Sequence, residues 1–157
     1  MPRASNLNDV DALRAEPGVS VRITADPGHV ACCDLAVIPG TRATVGDLSW
    51  MNERGIDHAL RERVRAGQPT LGICGGYQML ARWIDDTFAS RRGRTAGLGF
   101  LPTTVTFHAQ KRTETTRESW RDLTFDGYRI HHGEATPDPG AALELFAGGV
   151  RSGEVGH

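Results

Sequence analysis

The chain reads as an α/β protein, with a largely parallel sheet flanked by helices and additional strands towards the C-terminus. Three observations lead there. Strand-like and helix-like segments alternate through the first half of the chain, as stacked βα units require. Pro69 to Leu80 runs as a short apolar strand, a sharp glycine-flanked turn and an amphipathic helix. After about residue 85 the texture changes to short alternating segments that read as strands.

Asn8 to Leu13 looks like a short capped helix and Val19 to Thr24 like a strand. Asp34 to Ile38 is a second strand, closed by Pro39-Gly40. Thr44-Val45-Gly46-Asp47 resembles a capping box for a helix through Trp50. Ile56, Ala59, Leu60 and Val64 follow helical spacing, and Gly67 is placed to stop that helix. In the helix after the turn, Tyr77, Leu80, Ala81 and Ile84 share one face. Asp85 to Arg94 is polar and reads as a loop. Thr103 to Phe107, Thr113 to Trp120 and Gly127 to His131 read as strands, and Leu143 to Val150 as a hairpin. There are no repeats and no low-complexity linker, so one domain over residues 1–157 is expected.

The turn carries the chemistry. Gly72-x-Cys74-x-Gly76 has the form of a nucleophile elbow with cysteine at its apex. A thiol at a helix N-terminus sits where the macrodipole favours the thiolate. Attack on an amide carbonyl creates an oxyanion that needs two donors. Gly75 N–H follows the nucleophile, and Pro39-Gly40-Thr41 at the end of the preceding strand is placed to give the second. Each donor in such a site contributes about 3–4 kcal/mol to the transition state. The thiol also needs a base, usually a histidine within hydrogen-bond reach.

Composition narrows the partners. A formal net charge of −1 gives no electrostatic case for nucleic acid or an anionic membrane. No apolar run approaches the roughly 18 residues of a membrane span, and the first ten residues lack the apolar core of a signal peptide. Three cysteines, two of them adjacent, make no disulfide framework, which fits a reducing, cytoplasmic setting. Neither Cys32-Cys33 with Cys74 nor the six scattered histidines has metal-ligand spacing, so no metal site is expected.

Four ordered motifs carry a resemblance: Ile38-Pro39-Gly40-Thr41-Arg42-Ala43-Thr44 with Asp47-Leu48, Leu71 to Leu80, Gly97-Leu98-Gly99-Phe100-Leu101-Pro102, and Gly127-Tyr128-Arg129-Ile130-His131-His132-Gly133. Together with the opening Pro2 to Asn6 and Asp9 to Leu13, they resemble the glutaminase domain of cobyric acid synthase over almost the whole chain. That is a triad-type, class I glutamine amidotransferase of flavodoxin-like fold. The resemblance implies that Cys74 attacks the side-chain amide of glutamine, giving a glutamyl thioester and then glutamate and ammonia. Gln78 matches the glutamine that helps hold the substrate, and Gly40 and Gly75 match the oxyanion positions. His131 is read as a substrate-pocket residue rather than the base. The ammonia would pass to an ATP-using synthetase domain or chain that amidates carboxylates of a cobalamin precursor. ATP and magnesium belong to that partner, and this domain needs no cofactor.

Two departures shape the expectation. No Gly-x-x-x-x-Gly-Lys-Ser/Thr loop occurs here. The family's catalytic histidine lies in a Gly-Thr-x-x-His-Gly segment after Arg-Ser-Gly, whereas Arg151-Ser152-Gly153 is followed only by Glu154-Val155-Gly156-His157. The expectation is therefore a domain truncated at both ends, with its nucleophile but not its base, and impaired activity. The rival readings are a glutaminase subunit of a peptidoglycan-amidating complex, a non-catalytic module docking on a synthetase, and a cysteine-elbow hydrolase of protease or chaperone type. Gln78 and the Gly-Tyr-x-Ile-His motif count against the last.

Plainer roles fit the remaining residues. Cys32 and Cys33 are expected as core or near-core thiols. Trp50, Trp83 and Trp120 are expected to pack, and Arg91 to Arg94 to be a solvated loop. Arg129 and Glu134 reverse the charges usual in the fourth motif, which would either keep a local pair or alter a docking surface.

Overall fold

The computed structural model describes residues 1–5, 7–120, 123–141, 144–146 and 149–151. They form two compact units, Met1–Leu80 and Ala81–His157.

In the first unit a 3₁₀ turn, Leu7–Val10, leads into α1 (Asp11–Ala15), followed by α2 (Pro27–Cys32) and β1 (Ala36–Ile38). Then come α3 (Thr44–Glu53), α4 (Ile56–Arg65), β2 (Thr70–Gly72) and α5 (Gly75–Leu80). β1 and β2 pair in parallel with Ile38 opposite Gly72, so both strands end where the elbow begins. The core beneath them is Ile38, Val45, Leu48, Met51, Ile56, Ala59, Leu60 and Met79, all buried. Each large apolar side chain sequestered there contributes about 1.5–3 kcal/mol.

α4 shows how local sequence sets an element. Ile56, Ala59 and Leu60 are buried on one face, while Val64 lies 38% exposed at its margin. The helix stops at Gly67, whose φ of +71° suits a residue without Cβ. Gly67 N–H donates to the Val64 carbonyl and Gln68 N–H to that of Arg63, the paired bonds of a Schellman motif. Arg63 itself is 1% exposed. Its guanidinium donates to the carbonyls of Val30 (3.1 Å), Cys33 (2.5 Å) and Pro69 (3.0 Å), tying the end of α2 to the entry of β2.

The second unit holds a four-stranded sheet in the order β4 (Gly93–Ala96), β3 (Ala81–Asp86), β5 (Leu101–Trp120), β6 (Leu123–Pro137). β3 and β5 run parallel; the outer pairings are antiparallel. Thr103, Val105 and Phe107 point into the core at period two, alternating with half-buried Thr104 and Thr106. β7 (Glu144–Phe146) and β8 (Gly149–Arg151) make a small antiparallel pair where the hairpin is expected.

The α/β class holds, with parallel pairing flanked by helices, and several local expectations are corrected. Val19 to Thr24 is not a strand: Val19 is 45% and Ile23 59% exposed, and no described segment pairs with them. Alternation alone makes no ladder. α5 ends at Leu80, so Ala81 and Ile84 belong to β3 rather than to the helix face, and both are fully buried there. The polar stretch 85–94 is a loop only over residues 87–92. Arg94 lies on β4, its guanidinium 4.7 Å from the ring centre of Trp83 and 3.8 Å from Asp85. Cys32 is exposed at the end of α2 and Cys33 half-buried just beyond, so only the second approaches the expected setting. Glu134 pairs with His108 at 3.6 Å. The side chains of Arg129 and Trp120 lie outside the described residues, as does the segment from Ser152 to His157.

Candidate functional site

β2 delivers the chain into a turn whose apex, Cys74, has φ of +51°, a left-handed conformation that costs a residue with a Cβ. The thiol is exposed and has no hydrogen-bond partner among the described residues. Ile73 N–H donates to the Ile38 carbonyl at 3.0 Å, pinning the turn to the end of β1. Gln78 N–H returns to the Cys74 carbonyl at 3.0 Å and starts α5.

Close approach explains the glycines around Cys74. A Cβ on Gly76 would overlap the Ile38 carbonyl oxygen, and one on Gly75 would lie 2.7 Å from Thr41 Cγ2 and 3.0 Å from Thr41 N. The elbow is thus packed directly on Pro39-Gly40-Thr41. A Cβ on Gly40 would stand 3.5 Å from Cys74 Cβ, so that loop lies beside Cys74. Among the described residues neither the Gly40 nor the Gly75 amide has a protein acceptor, which leaves both free to donate to a bound oxyanion. α5 has only six residues, so the local amides matter more here than a long helix dipole.

Gln78 lies one turn into α5, half-buried, and its Oε1 accepts from the Thr44 hydroxyl at 3.0 Å. Here the capping-box expectation fails. Ala43 is the N-cap of α3 and caps with no side-chain hydrogen bond, while Thr44 serves Gln78 instead. Asp47, 2% exposed, reaches the loop. Its Oδ2 accepts from the Thr41 hydroxyl at 2.7 Å, and its carboxylate accepts from Arg3 N–H at 3.3 Å. Sequence reasoning placed Thr41 in the oxyanion loop but missed Thr44 and Asp47 as parts of the site. The spacing that suggested a helix cap was their signal, and it had been assigned to the wrong backbone groups.

Tyr77, half-buried beside Gln78, has its phenol pKa raised by burial. The histidines of the first unit are not part of the elbow: His29 pairs with Asp26 on α2 at 3.0 Å, and His58 is exposed on α4. His131 lies on β6 opposite Arg112, and its side chain is outside the described residues. Among the described residues no group of three metal-ligating side chains converges, and no helix is long and apolar enough to cross a membrane.

A cysteine elbow over the ends of parallel strands, two free amides flanking it and a glutamine one turn on define a class of thiol acyl-transfer sites. Residues 1–155 match the CobB/CobQ-like glutamine amidotransferase domain, and the chain belongs to that family. Similar relatives include the cobyric acid synthases of Frankia casuarinae, 48% identical over 99% of this chain and 30% of that protein, and of Streptomyces avermitilis, 49% identical over 99% and 30%. That of Mycolicibacterium paratuberculosis is 52% identical over 87% of this chain and 26% of that one. The chain thus spans about 30% of the length of the curated relatives it matches. Among solved structures, a crystal structure of a glutamine amidotransferase superposes with a TM-score of 0.70 at 24% identity, over 92% of this chain and 75% of the other, a likeness of fold.

Proposed function

We propose that the chain is a glutamine-hydrolysing domain in which Cys74 Sγ attacks the side-chain amide carbon of glutamine. The carbonyl electron pair moves to oxygen, which the Gly40 and Gly75 amides receive. Collapse breaks the C–N bond, the thiol proton leaves with the nitrogen as ammonia, and a glutamyl thioester remains on Cys74. Water then releases glutamate and restores the thiol. Gln78, oriented by Thr44, holds the substrate. The ammonia is delivered to an ATP-using synthetase domain or chain that amidates carboxylates on a cobalamin precursor, with ATP and magnesium used by that partner. Glutamine chemistry of this kind belongs in the cytoplasm, beside its acceptor.

The observation that carries the reading is the packing of Gly75 on Thr41 next to Cys74, whose φ is +51°. It supports a reading in which the thiol and both donor amides lie side by side, one amide from the elbow and one from the adjacent loop. The test follows release of ammonium from glutamine labelled with ¹⁵N at the amide, for the unsubstituted chain and for Cys74→Ala. Release that depends on Cys74 is expected, and the ratio of the two rates, rather than either rate alone, is decisive. Equal rates would contradict the proposal.

A further inference from the structure

We infer that Asp47 is a positioning residue for the oxyanion loop: its buried carboxylate holds Thr41, and through it the Gly40–Thr41 segment, at the distance from Cys74 that an oxyanion donor requires. This rests on the glutamine-hydrolysing reading of Cys74.

A backbone donor works only if it is held still, because a donor that must reorganise loses most of its advantage. The segment 39–43 lies between β1 and α3 and has no ladder of its own. Its tethers lead to one place. Ser5 N–H donates to the Gly40 carbonyl at 2.8 Å, Arg42 N–H to the Arg3 carbonyl at 3.3 Å, and Ala4 forms an antiparallel bridge with Thr41. The loop therefore leans on residues 3–5, and Arg3 in turn donates its N–H to Asp47. On the other side of the bridge, the Thr41 hydroxyl donates to the same carboxylate at 2.7 Å and accepts from Ala43 N–H at 3.0 Å. Both halves of the bridge thus converge on one buried anion, a charge-assisted arrangement stronger than neutral hydrogen bonds. Thr41 is also the residue against which Gly75 packs, so its placement sets the gap between loop and elbow.

The test separates this role from a general structural one by using three probes of Cys74. Alkylation by iodoacetamide, a displacement of iodide by sulfur, forms no oxyanion and reports an intact elbow. Protection by glutamine reports substrate binding. Protection by 5-oxopentanoate, an aldehyde that lacks the α-amine and so cannot close to a cyclic imine, reports the oxyanion site. Sγ adds to its aldehyde carbon, the carbonyl pair moves to oxygen, and the thiol proton ends there as a hemithioacetal.

For Asp47→Asn and Thr41→Val the expected result is a rise of roughly tenfold in the aldehyde concentration for half-protection, the scale of one charge-assisted hydrogen bond. Glutamine protection should shift far less, iodoacetamide alkylation should be unchanged, and Thr41→Ser, which keeps the hydroxyl but loses the methyl facing Gly75, should shift the aldehyde value much less than Thr41→Val does. Aldehyde and glutamine protection that move together, or an aldehyde value that does not move, would overturn the assignment. If Asp47→Asn does not fold, the Thr41→Val and Thr41→Ser pair decides. Failure of glutamine to protect the unsubstituted chain would instead overturn the glutamine reading, and this assignment with it.

Discussion

Gly76 and Gly46 are both helical glycines, yet the structure gives them opposite predictions. A Cβ at Gly76 would collide with the Ile38 carbonyl, backbone that cannot retreat without breaking the β1–β2 junction. Gly76→Ala should therefore cost about 3 kcal/mol in chemical denaturation, at the upper end of overpacking effects. Gly46 is exposed on α3, and a Cβ there would meet only Ala43 Cβ at 3.8 Å. Gly46→Ala should stabilise by about 0.5–1 kcal/mol, the ordinary gain from removing a helix glycine. Thr44 offers a third case at this scale. Thr44→Val keeps the shape but releases Gln78, so the glutamine concentration that half-protects Cys74 should rise severalfold with alkylation in its absence unchanged. An unaltered protection curve would mean that Gln78 is held by other means. The proposed roles of Cys74 and Gly75 come from the elbow's spacing, that of Gly40 from the loop after the preceding strand, and that of Gln78 from the family resemblance. Those of Thr44 and Asp47 could not be read, because a Thr-x-x-Asp spacing reports only that two side chains share a helix end, not which acceptors and donors face them.

At the scale of elements, α4 was legible because its apolar face, its stop and its Schellman bonds all follow from nearest-neighbour chemistry. Arg63 was not. A basic residue on an amphipathic helix reads as solvated, and only tertiary structure shows carbonyls of α2 and of the β2 entry closing over it. Arg63→Met should destabilise the first unit by at least about 3 kcal/mol, since several buried carbonyls would lose their donor. A denaturation midpoint close to that of the unsubstituted chain would refute that role. The end of α5 was misread for a related reason: Ala81 and Ile84 fit a helical face and a buried strand equally well, and pairing with β4 and β5 decided between them. Val19 to Thr24 failed in the opposite direction, with strand-like residues but no ladder. α5 also carries a pH dependence. Burial raises the Tyr77 pKa above its ordinary 10.0, so the folded chain keeps this proton after the unfolded chain has lost it. The unfolded state then binds fewer protons, and stability falls as pH rises above 10.0 until the folded phenol also ionises. Tyr77→Phe should remove that part of the alkaline loss and change little near neutrality, as read from unfolding midpoints across the alkaline range.

For the whole molecule, the strand ends, elbow, loop and Gln78 are joined by contacts within the first unit, Met1–Leu80, and the proposed glutamine chemistry draws on those residues. The α/β class and the family were legible because four motifs survive in order along nearly the whole chain. The division into two compact units was only partly visible: the texture changes after about residue 85, but no linker marks Leu80. The central claim is that Cys74 is a usable nucleophile inside a formed glutamine pocket. Its most direct test is peptide-resolved mass spectrometry of the chain after exposure to 6-diazo-5-oxo-norleucine, with and without glutamine and with Cys74→Ala alongside. The account predicts a single adduct on Cys74, formed more slowly as glutamine is added and missing from the alanine variant. No adduct in a chain shown to be folded, or labelling spread equally over Cys32, Cys33 and Cys74 and indifferent to glutamine, would contradict it.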